Sequence, residues 1–313
     1  MIRILRPTDS TRLLFFRPAA GGTLAFTLES ATHPAAGSFR TGRYIARALT
    51  WRARRDGWIA CGPSGIIGVA HLRHRSGPTA WELSELFLGA DASVDTDGAD
   101  ILAEIAWVAA RAGAQRVFLR LAAGSPTCTA ARRAGYQLQT AETLYRRPRD
   151  LRGMAQPRRY PAESGWRPVL DADMLALFQL YCQTTPFAAR TTGGLTAPEW
   201  RDALEAYSKS REMVLDRDGK PAAWVRYSDS GNERLFTLMA QPEAFDDLGE
   251  VVRGVLAGGF GMPASVLVPA HLTAVGAALE AAGFVAGPEF DLYVRMTAVR
   301  ATAPHPAVAA VGG

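Results

Sequence analysis

The chain reads Ala134-Gly135-Tyr136, and 148 positions later it reads Ala282-Gly283-Phe284. Seven residues after each of these motifs it reads Leu144-Tyr145-Arg146 and Leu292-Tyr293-Val294-Arg295. The two stretches align without a gap. Self-similarity at a fixed offset is typical of repeated structural units, so these stretches predict that one fold is present twice.

The same order of elements precedes each motif. Hydrophobic periodicity predicts a long helix, a strand and a short alanine-rich helix in each half, at 99–112, 116–119 and 127–134, and at 244–257, 265–268 and 272–282. Before them, alternating runs bounded by glycines predict a three-strand meander, at 57–61, 66–71 and 82–88, and at 212–215, 222–227 and 234–239. Thr196 and Glu199 have the spacing of a helix capping box.

The length of 313 residues is that of two domains. We expect an N-terminal domain over 1–150 and a C-terminal domain over 163–300, each α/β with a mixed sheet. Residues 151–162 are rich in proline and arginine, as a linker is. Residues 301–313 have no periodicity, which predicts a disordered tail.

This order of elements, ending in Ala-Gly-Tyr or Ala-Gly-Phe, resembles the GNAT (GCN5-related) N-acetyltransferase family, in a tandem two-domain form. The resemblance covers nearly the whole chain. It implies that acetyl-CoA binds between two splayed parallel strands, with its pyrophosphate on the N-terminus of the central helix. Unpaired N–H groups and the helix dipole favour an anion there.

The resemblance assigns site residues in the first half. The backbone groups of Leu86 and Leu88, on the fourth strand, would orient the thioester. Glu82 and Glu85 occupy positions where such enzymes place a general base. Alternation along a strand puts these two carboxylates on opposite faces unless a bulge intervenes. The other interpretation is that one or both simply face solvent.

The family's remaining motifs are degenerate here. The family's pyrophosphate loop has the pattern Arg/Gln-x-x-Gly-x-Gly/Ala. In the corresponding residues 93–98, only the last glycine, Gly98, is present. Asp95 and Asp97 favour a helix that is capped by its own carboxylate. No register of the corresponding loop of the second half, residues 241–249, keeps both glycines. The tyrosine that would protonate the leaving thiolate is replaced by Ala131 and Leu279.

Composition limits the other function classes. The net charge is +5, but basic balance alone is a weak signal for nucleic acid. Arg40, Arg43 and Arg47 would form one basic helical face, either solvated or facing an acidic partner. The three cysteines and five histidines lack metal-site spacing, so no metal is expected and the cytosol fits best. No run of ~18 apolar residues predicts a membrane span.

Two hypotheses follow. In the first, the protein is an N-acetyltransferase that transfers an acetyl group from acetyl-CoA to a small-molecule or peptide amine, with the N-terminal domain as the catalytic one. In the second, it is a catalytically inactive pseudo-GNAT that serves as a binding or scaffold module. In either, the two domains are expected to pack as an intramolecular pseudo-dimer.

Overall fold

The computed structural model of the chain describes residues 2–32, 37–50, 56–63, 65–149, 165–230, 232–241, 248–257 and 261–297. The predicted linker, the predicted tail and most of the second pyrophosphate loop lie outside these ranges. We call residues 2–149 the N-half and residues 165–297 the C-half.

Each half has the element order that its sequence predicts. The described strands of the N-half are β1 (Ile2–Ile4), β2 (Gly57–Gly62), β3 (Gly65–His74), β4 (Ala80–Leu88), β5 (Arg116–Ala122) and β6 (Gln137–Arg147). Its described helices are α1 (Ser10–Phe15), α2 (Leu28–Thr32), α3 (Thr41–Leu49), α4 (Ala99–Arg111) and α5 (Pro126–Arg133).

The described strands of the C-half are β7 (Trp166–Pro168), β8 (Arg211–Arg217), β9 (Lys220–Ser230), β10 (Glu233–Ala240), β11 (Ala264–Pro269) and β12 (Val285–Met296). Its described helices are α6 (Met174–Thr184), α7 (Phe187–Gly193), α8 (Ala197–Ala203), α9 (Leu248–Ala257) and α10 (Thr273–Ala281). The predicted capping box is present, since Thr196 Oγ1 accepts from the Glu199 N–H and Glu199 accepts from the Thr196 N–H.

The two halves share one mixed sheet and exchange their last strands. The strand order is β1-β2-β3-β4-β5-β12-β6-β11-β10-β9-β8-β7. Strand β12 of the C-half therefore pairs antiparallel with β5 of the N-half, and β6 of the N-half pairs antiparallel with β11 of the C-half. Each half thus completes the sheet of the other.

Helices cover both faces of this sheet. One face carries α4 and α5 in the N-half and α9 and α10 in the C-half, each pair packed over an apolar cluster. The opposite face carries α1 and α3 in the N-half and α6 and α8 in the C-half. We call this second face the α1/α6 face. No helix of the described residues is long and apolar enough to span a membrane.

Candidate functional site

Each half contains a cleft where two parallel strands diverge. In the N-half, β4 pairs with β5 only from Ala80 to Leu83. In the C-half, β10 pairs with β11 only from Arg234 to Phe236. Beyond these points, the backbone N–H and C=O groups on this side of each strand face a cleft instead of a paired strand. The two clefts are related by the internal repeat, but their contents differ.

A bulge in β4 brings the two predicted carboxylates to one face. His71 pairs with Glu85 and Arg73 with Glu82, but the register shifts between them, so that Ser84 has no partner on β3. Directly opposed residues project to the same face, as do His71 and Arg73, which are two apart. Glu82 and Glu85 therefore both project to the α1/α6 face, and both are buried.

Glu85 is held by three donors from α3. It accepts a hydrogen bond from the Tyr44 hydroxyl, and its oxygens lie 2.7 Å from Arg43 Nη2 and 3.0 Å from Arg47 Nη1. Burial acts to raise the pKa of this carboxyl, but the Tyr44 hydrogen bond and the Arg47 and Arg43 charges outweigh it and lower the pKa. Arg43 and Arg47 thus bind an internal carboxylate rather than forming a wholly solvated face.

Glu82 is also paired. Its carboxylate lies 2.5 Å from Arg73 Nε and 3.4 Å from Arg75 Nε. Arg73 and Arg75 in turn lie 3.8 and 3.7 Å from Glu205, which follows α8 of the C-half. The oxygens of both glutamates are already occupied by guanidinium groups, so the predicted role of either as a base requires these partners to move.

The N-half cleft is filled by residues 17–26, which we call the cleft segment. The Ala19 N–H donates to Leu88 O at 2.8 Å and the Leu24 N–H to Leu86 O at 2.7 Å. The Leu86 N–H donates to Thr23 Oγ1 at 3.0 Å. On the other side, the Phe26 N–H donates to the carbonyl of Arg120 on β5 at 2.9 Å. Backbone groups of Leu86 and Leu88 therefore already bind the chain itself.

Three backbone N–H groups of the predicted pyrophosphate loop donate to acceptors within the loop itself. Ser93 Oγ accepts from the Thr96 N–H, Asp97 accepts from the Ser93 N–H, and the Gly98 N–H donates to Ser93 O. Asp95 lies 2.7 Å from Arg133 on α5. Gly98 itself is buried and its N–H is already bonded to Ser93 O, so this N–H is not free to bind an anion.

Among the described residues, the C-half cleft has no counterpart of the cleft segment. In the N-half, α1 ends at Phe15 and α2 begins at Leu28, which leaves a long connection that can lie in the cleft. In the C-half, only Thr185 and Pro186 join α6 to α7. A connection of this length cannot run along a strand.

A cavity of about 180 Å³ lies beside this C-half cleft and is also lined by N-half residues such as Phe118 and Arg120. In the N-half, a cavity of about 220 Å³ lies beside Glu85 and His71, outside the filled cleft. In the C-half cavity, Thr237, Leu238 and Met239 of β10 form one wall and Leu267 of β11 another, with α6, α7 and α8 above. The Arg234 N–H donates toward β11 and the Gln241 N–H toward β9. Strand alternation therefore turns the backbone N–H and C=O groups of Leu238 and Ala240 toward the cleft, where the pairing with β11 has ended.

On the opposite face of the sheet, a groove runs between the first turn of α9 and α10. Its lining is small and apolar, with Arg147 at one side: Leu248, Gly249, Leu256, Ala274, Ala277, Ala278, Ala281 and Ala282. In the N-half, the Arg133–Asp95 ion pair joins α5 to the corresponding loop. The C-half therefore offers a cavity and a groove on the two sides of one diverging strand pair.

Buried charges join the two halves beneath the cavity. Glu205 accepts from the Leu28 N–H at 2.7 Å and from Arg120 Nη2 at 2.9 Å, and Arg120 also binds Glu142 at 2.7 Å. Burial acts to raise the pKa of Glu205, but the charges of Arg120, Arg75 and Arg73 lower it to about 2.

No group of three or more His, Cys, Asp or Glu side chains in the described ranges is arranged to hold a metal ion.

Several cavity residues gave no signal in the sequence. Tyr181 and Gln139 read as ordinary helix and strand residues, and His271 as one of five scattered histidines. The burial of the Glu205 carboxylate could not be predicted from the sequence, because its partners Leu28 and Arg120 are far away along the chain. Gly21-Gly22 in the α1–α2 connection indicates a turn, which does not show that the connection lies in a cleft.

Comparison with known proteins agrees with this architecture. No protein-family model and no curated protein sequence matches the chain. A GCN5-related N-acetyltransferase from Sphaerobacter thermophilus aligns over 95% of this chain and 95% of its own, with a TM-score of 0.51 and 13% identity. A conserved protein of unknown function from Staphylococcus epidermidis aligns over 81% of this chain and 100% of its own, with a TM-score of 0.50 and 12% identity.

A tandem GNAT protein from the clavulanic acid biosynthesis pathway aligns over 95% of this chain and 98% of its own, at 15% identity and a TM-score of 0.44. Likeness at such identities concerns the fold and leaves the activity to be argued from the site. The element order of each half and the full-length alignment to the Sphaerobacter structure together show that this chain has the GNAT fold, present twice in tandem.

Proposed function

We propose that the protein is an acyl-CoA-dependent N-acyltransferase whose donor binds in the C-half. The observation that carries this proposal is the contrast between the two clefts. The N-half cleft holds the chain's own residues 17–26, whereas the C-half cleft opens onto a cavity on one face and a groove on the other. Acetyl-CoA remains the simplest donor. The N-half site residues Glu82, Glu85, Leu86, Leu88 and Gly98 would then be structural.

The C-half supplies groups suited to both ends of a donor. Backbone groups of Leu238 and Ala240 face the cleft, where they would orient a thioester. The first turn of α9, with Gly249, borders the groove, and helix N-termini favour phosphate groups. These are the functions that the family resemblance implies for Leu86, Leu88 and Gly98 in the other half.

His271 is the proposed general base. It follows β11, lines the cavity and is half-buried, and burial lowers its pKa. A neutral imidazole can accept the proton that an attacking amine loses. A thiol has a pKa of about 8.5, so the departing thiolate does not require the tyrosine that Leu279 replaces.

A pair of matched variants tests where the donor binds. Ala277 lines the groove on the exposed side of α10, and Thr129 occupies the repeat-related position on α5. Acetyl-CoA is titrated calorimetrically into the wild type, Ala277→Glu and Thr129→Glu. We expect one molecule bound per chain, an affinity at least tenfold weaker for Ala277→Glu, and no change for Thr129→Glu.

The opposite pattern would place the donor in the N-half, and no binding at millimolar acetyl-CoA would rule out acyl transfer from it. The second candidate function, a pseudo-GNAT binding module, is favoured by Ala131 and Leu279 at the two tyrosine positions. It predicts that acetyl-CoA binds without thiol release in the presence of any amine. The cytosol is the compartment that we propose for either function.

A further inference from the structure

Aromatic side chains line the inner part of the C-half cavity. Tyr181 of α6 stacks on Trp200 of α8, with ring centroids 5.5 Å apart, and Trp200 meets Trp224 of β9 edge-on at 6.0 Å. Phe118 and Leu292, from the N-half sheet and the exchanged strand β12, close the far side. Aromatic walls of this kind bind planar or aliphatic groups through burial and ring contacts.

The charged groups beneath this part of the cavity are already paired. Arg120 binds Glu142 and Glu205. Arg226 donates to Ser76 Oγ and to the Glu205 carbonyl, both at 2.9 Å. Arg75 Nε and Arg226 Nε form no hydrogen bond with a described residue, but they lie 3.4 Å from Glu82 and 3.6 Å from Glu212. Since each guanidinium group is near a carboxylate, these charges do not call for a charged ligand body.

Two polar atoms at the inner end lack such partners. Gln139 Oε1 is buried and accepts no hydrogen bond from the described residues, while its Nε2 donates to Ala189 O at 3.0 Å. The hydroxyl of Tyr181, a residue that is 7% exposed and lines the cavity, forms no hydrogen bond to a described residue, although it is not fully buried as Gln139 Oε1 is. Both side chains converge on Gly193, where a Cβ would lie 2.7 Å from Tyr181 Oη and from Gln139 Nε2.

A buried polar atom without a partner costs free energy, so in native proteins it commonly marks a ligand or a functional group. Gln139 Oε1 can only accept, whereas a tyrosine hydroxyl can donate or accept. Together they match a hydroxyl group, which can donate to Gln139 and accept from Tyr181.

We propose that the acceptor is a small amine with a flat apolar body and a hydroxyl at the end away from the amine. This inference rests on the proposed function, which places the reacting amine near β10. Strand β6, which carries Gln139, is the second neighbour of β10 in the sheet, and β10 has diverged from β11 at this level, so the two ends lie at least roughly 10 Å apart. The cavity of about 180 Å³ suits an acceptor of single-ring size.

Tyramine and phenethylamine are the matched probes, since they differ only in the distal hydroxyl. Each is titrated calorimetrically into the full chain, with coenzyme A present and absent. For the wild type we expect tyramine to bind at least fivefold more tightly than phenethylamine. Equal affinities, or no binding of either amine, would overturn the proposal.

In Tyr181→Phe and in Gln139→Leu, the ratio of the tyramine affinity to the phenethylamine affinity should fall to about one. The affinity for phenethylamine itself should change less than threefold. Tyr207→Phe is the control, because Tyr207 lines the same cavity but its hydroxyl already bonds Thr237 Oγ1 at 2.7 Å. Its ratio should stay at the wild-type value. Tyr181→Phe should also keep the wild-type melting temperature, since the Tyr181 hydroxyl bonds no described residue. A loss of the preference for tyramine in this variant could then not be ascribed to unfolding.

The two proposals fail separately. If acetyl-CoA binds and Ala277→Glu weakens it, but the amines are not distinguished, the acceptor inference alone is wrong. If tyramine is preferred but acetyl-CoA does not bind, the cavity recognises the hydroxyl while the acyl-transfer function is wrong.

Discussion

The N–H of Leu86, in the diverging part of β4, donates to Thr23 Oγ1 at 3.0 Å, so a side chain of the α1–α2 connection satisfies a backbone group that the fold leaves unpaired. Thr23→Val removes this acceptor at nearly constant shape. We expect a loss of about 1–3 kcal/mol in the free energy of unfolding, the cost of a buried unpaired donor. Thr23→Ser keeps the hydroxyl and should cost about 1 kcal/mol or less.

Urea unfolding measures the stability of both variants, and hydrogen exchange reports on the Leu86 amide itself. In Thr23→Val this amide should exchange faster than in the wild type, while that of Leu83, which lies in the paired part of β4, keeps its protection. Unchanged protection at Leu86 would show that the cleft segment does not depend on this contact.

The repeat and the order of elements could be predicted from the sequence, because they rest on periodicity and on local turn chemistry. The exchange of β6 and β12 could not. Both strands carry the same motif, Leu144-Tyr145 and Leu292-Tyr293, so either pairing satisfies the local pattern. Which sheet each strand completes is decided by long-range contacts.

The candidate site was predictable only in part. Strand alternation predicts that Glu82 and Glu85 lie on opposite faces of the sheet. In the structure, the bulge at Ser84 places both on the same face. The bulge has no marker such as glycine in this strand. The inward orientation of Arg43 and Arg47 likewise depends on Glu85, a partner about forty residues away. Such pairings are set by tertiary packing, which a local pattern does not encode.

Glu205 carries the charge balance between the two halves. Glu205→Gln leaves Arg73, Arg75 and Arg120 with one carboxylate fewer in a buried network. Removing one partner of a buried ion pair costs about 3 kcal/mol, and we expect a loss of this size in urea unfolding at pH 7. Asp95→Asn breaks the exposed pair with Arg133 and should change stability by less than about 1 kcal/mol. Equal effects would mean that the Glu205 network is not coupled to folding.

His71 predicts a pH dependence. Ser84 donates to His71 O at 3.0 Å, so the 2.7 Å contact between Ser84 Oγ and Nδ1 requires the proton on Nδ1. Burial, then the charges of Arg47, Arg43 and Arg73, lower the pKa of this imidazole to about 3, although Glu85 acts to raise it. The unfolded chain therefore binds a proton near pH 6.5 that the folded chain does not, and stability should fall as pH falls from about 6.5 toward 3.

The slope from one such group is at most about 1.4 kcal/mol per pH unit. His71→Gln should remove it, so that the stability curve of the variant, measured by urea unfolding between pH 7 and 4, is flatter than that of the wild type. His74→Gln, at an exposed position on the same strand, should keep the wild-type slope. Parallel curves for wild type and His71→Gln would show that His71 titrates normally in the folded protein.

The exchanged strands predict that the two halves cannot be separated by cutting the chain between them. A protease site inserted between residues 150 and 164 would yield two fragments on cleavage. The first contains β6, which pairs with β11 and β12 of the second, and the second contains β12, which pairs with β5 of the first. These ladders place β12 and β6 between β5 and β11, so separation would expose long strand edges in both fragments.

We therefore expect the cleaved protein to elute from size exclusion as one species of the intact size, with both fragments present, and to unfold in one transition. A sheet without exchange would leave β6 on β5 and β12 on β11, with one ladder between the halves, and would release the fragments at moderate urea. Elution as two separate species in native buffer would contradict the exchange, since each fragment would then have to complete its own sheet.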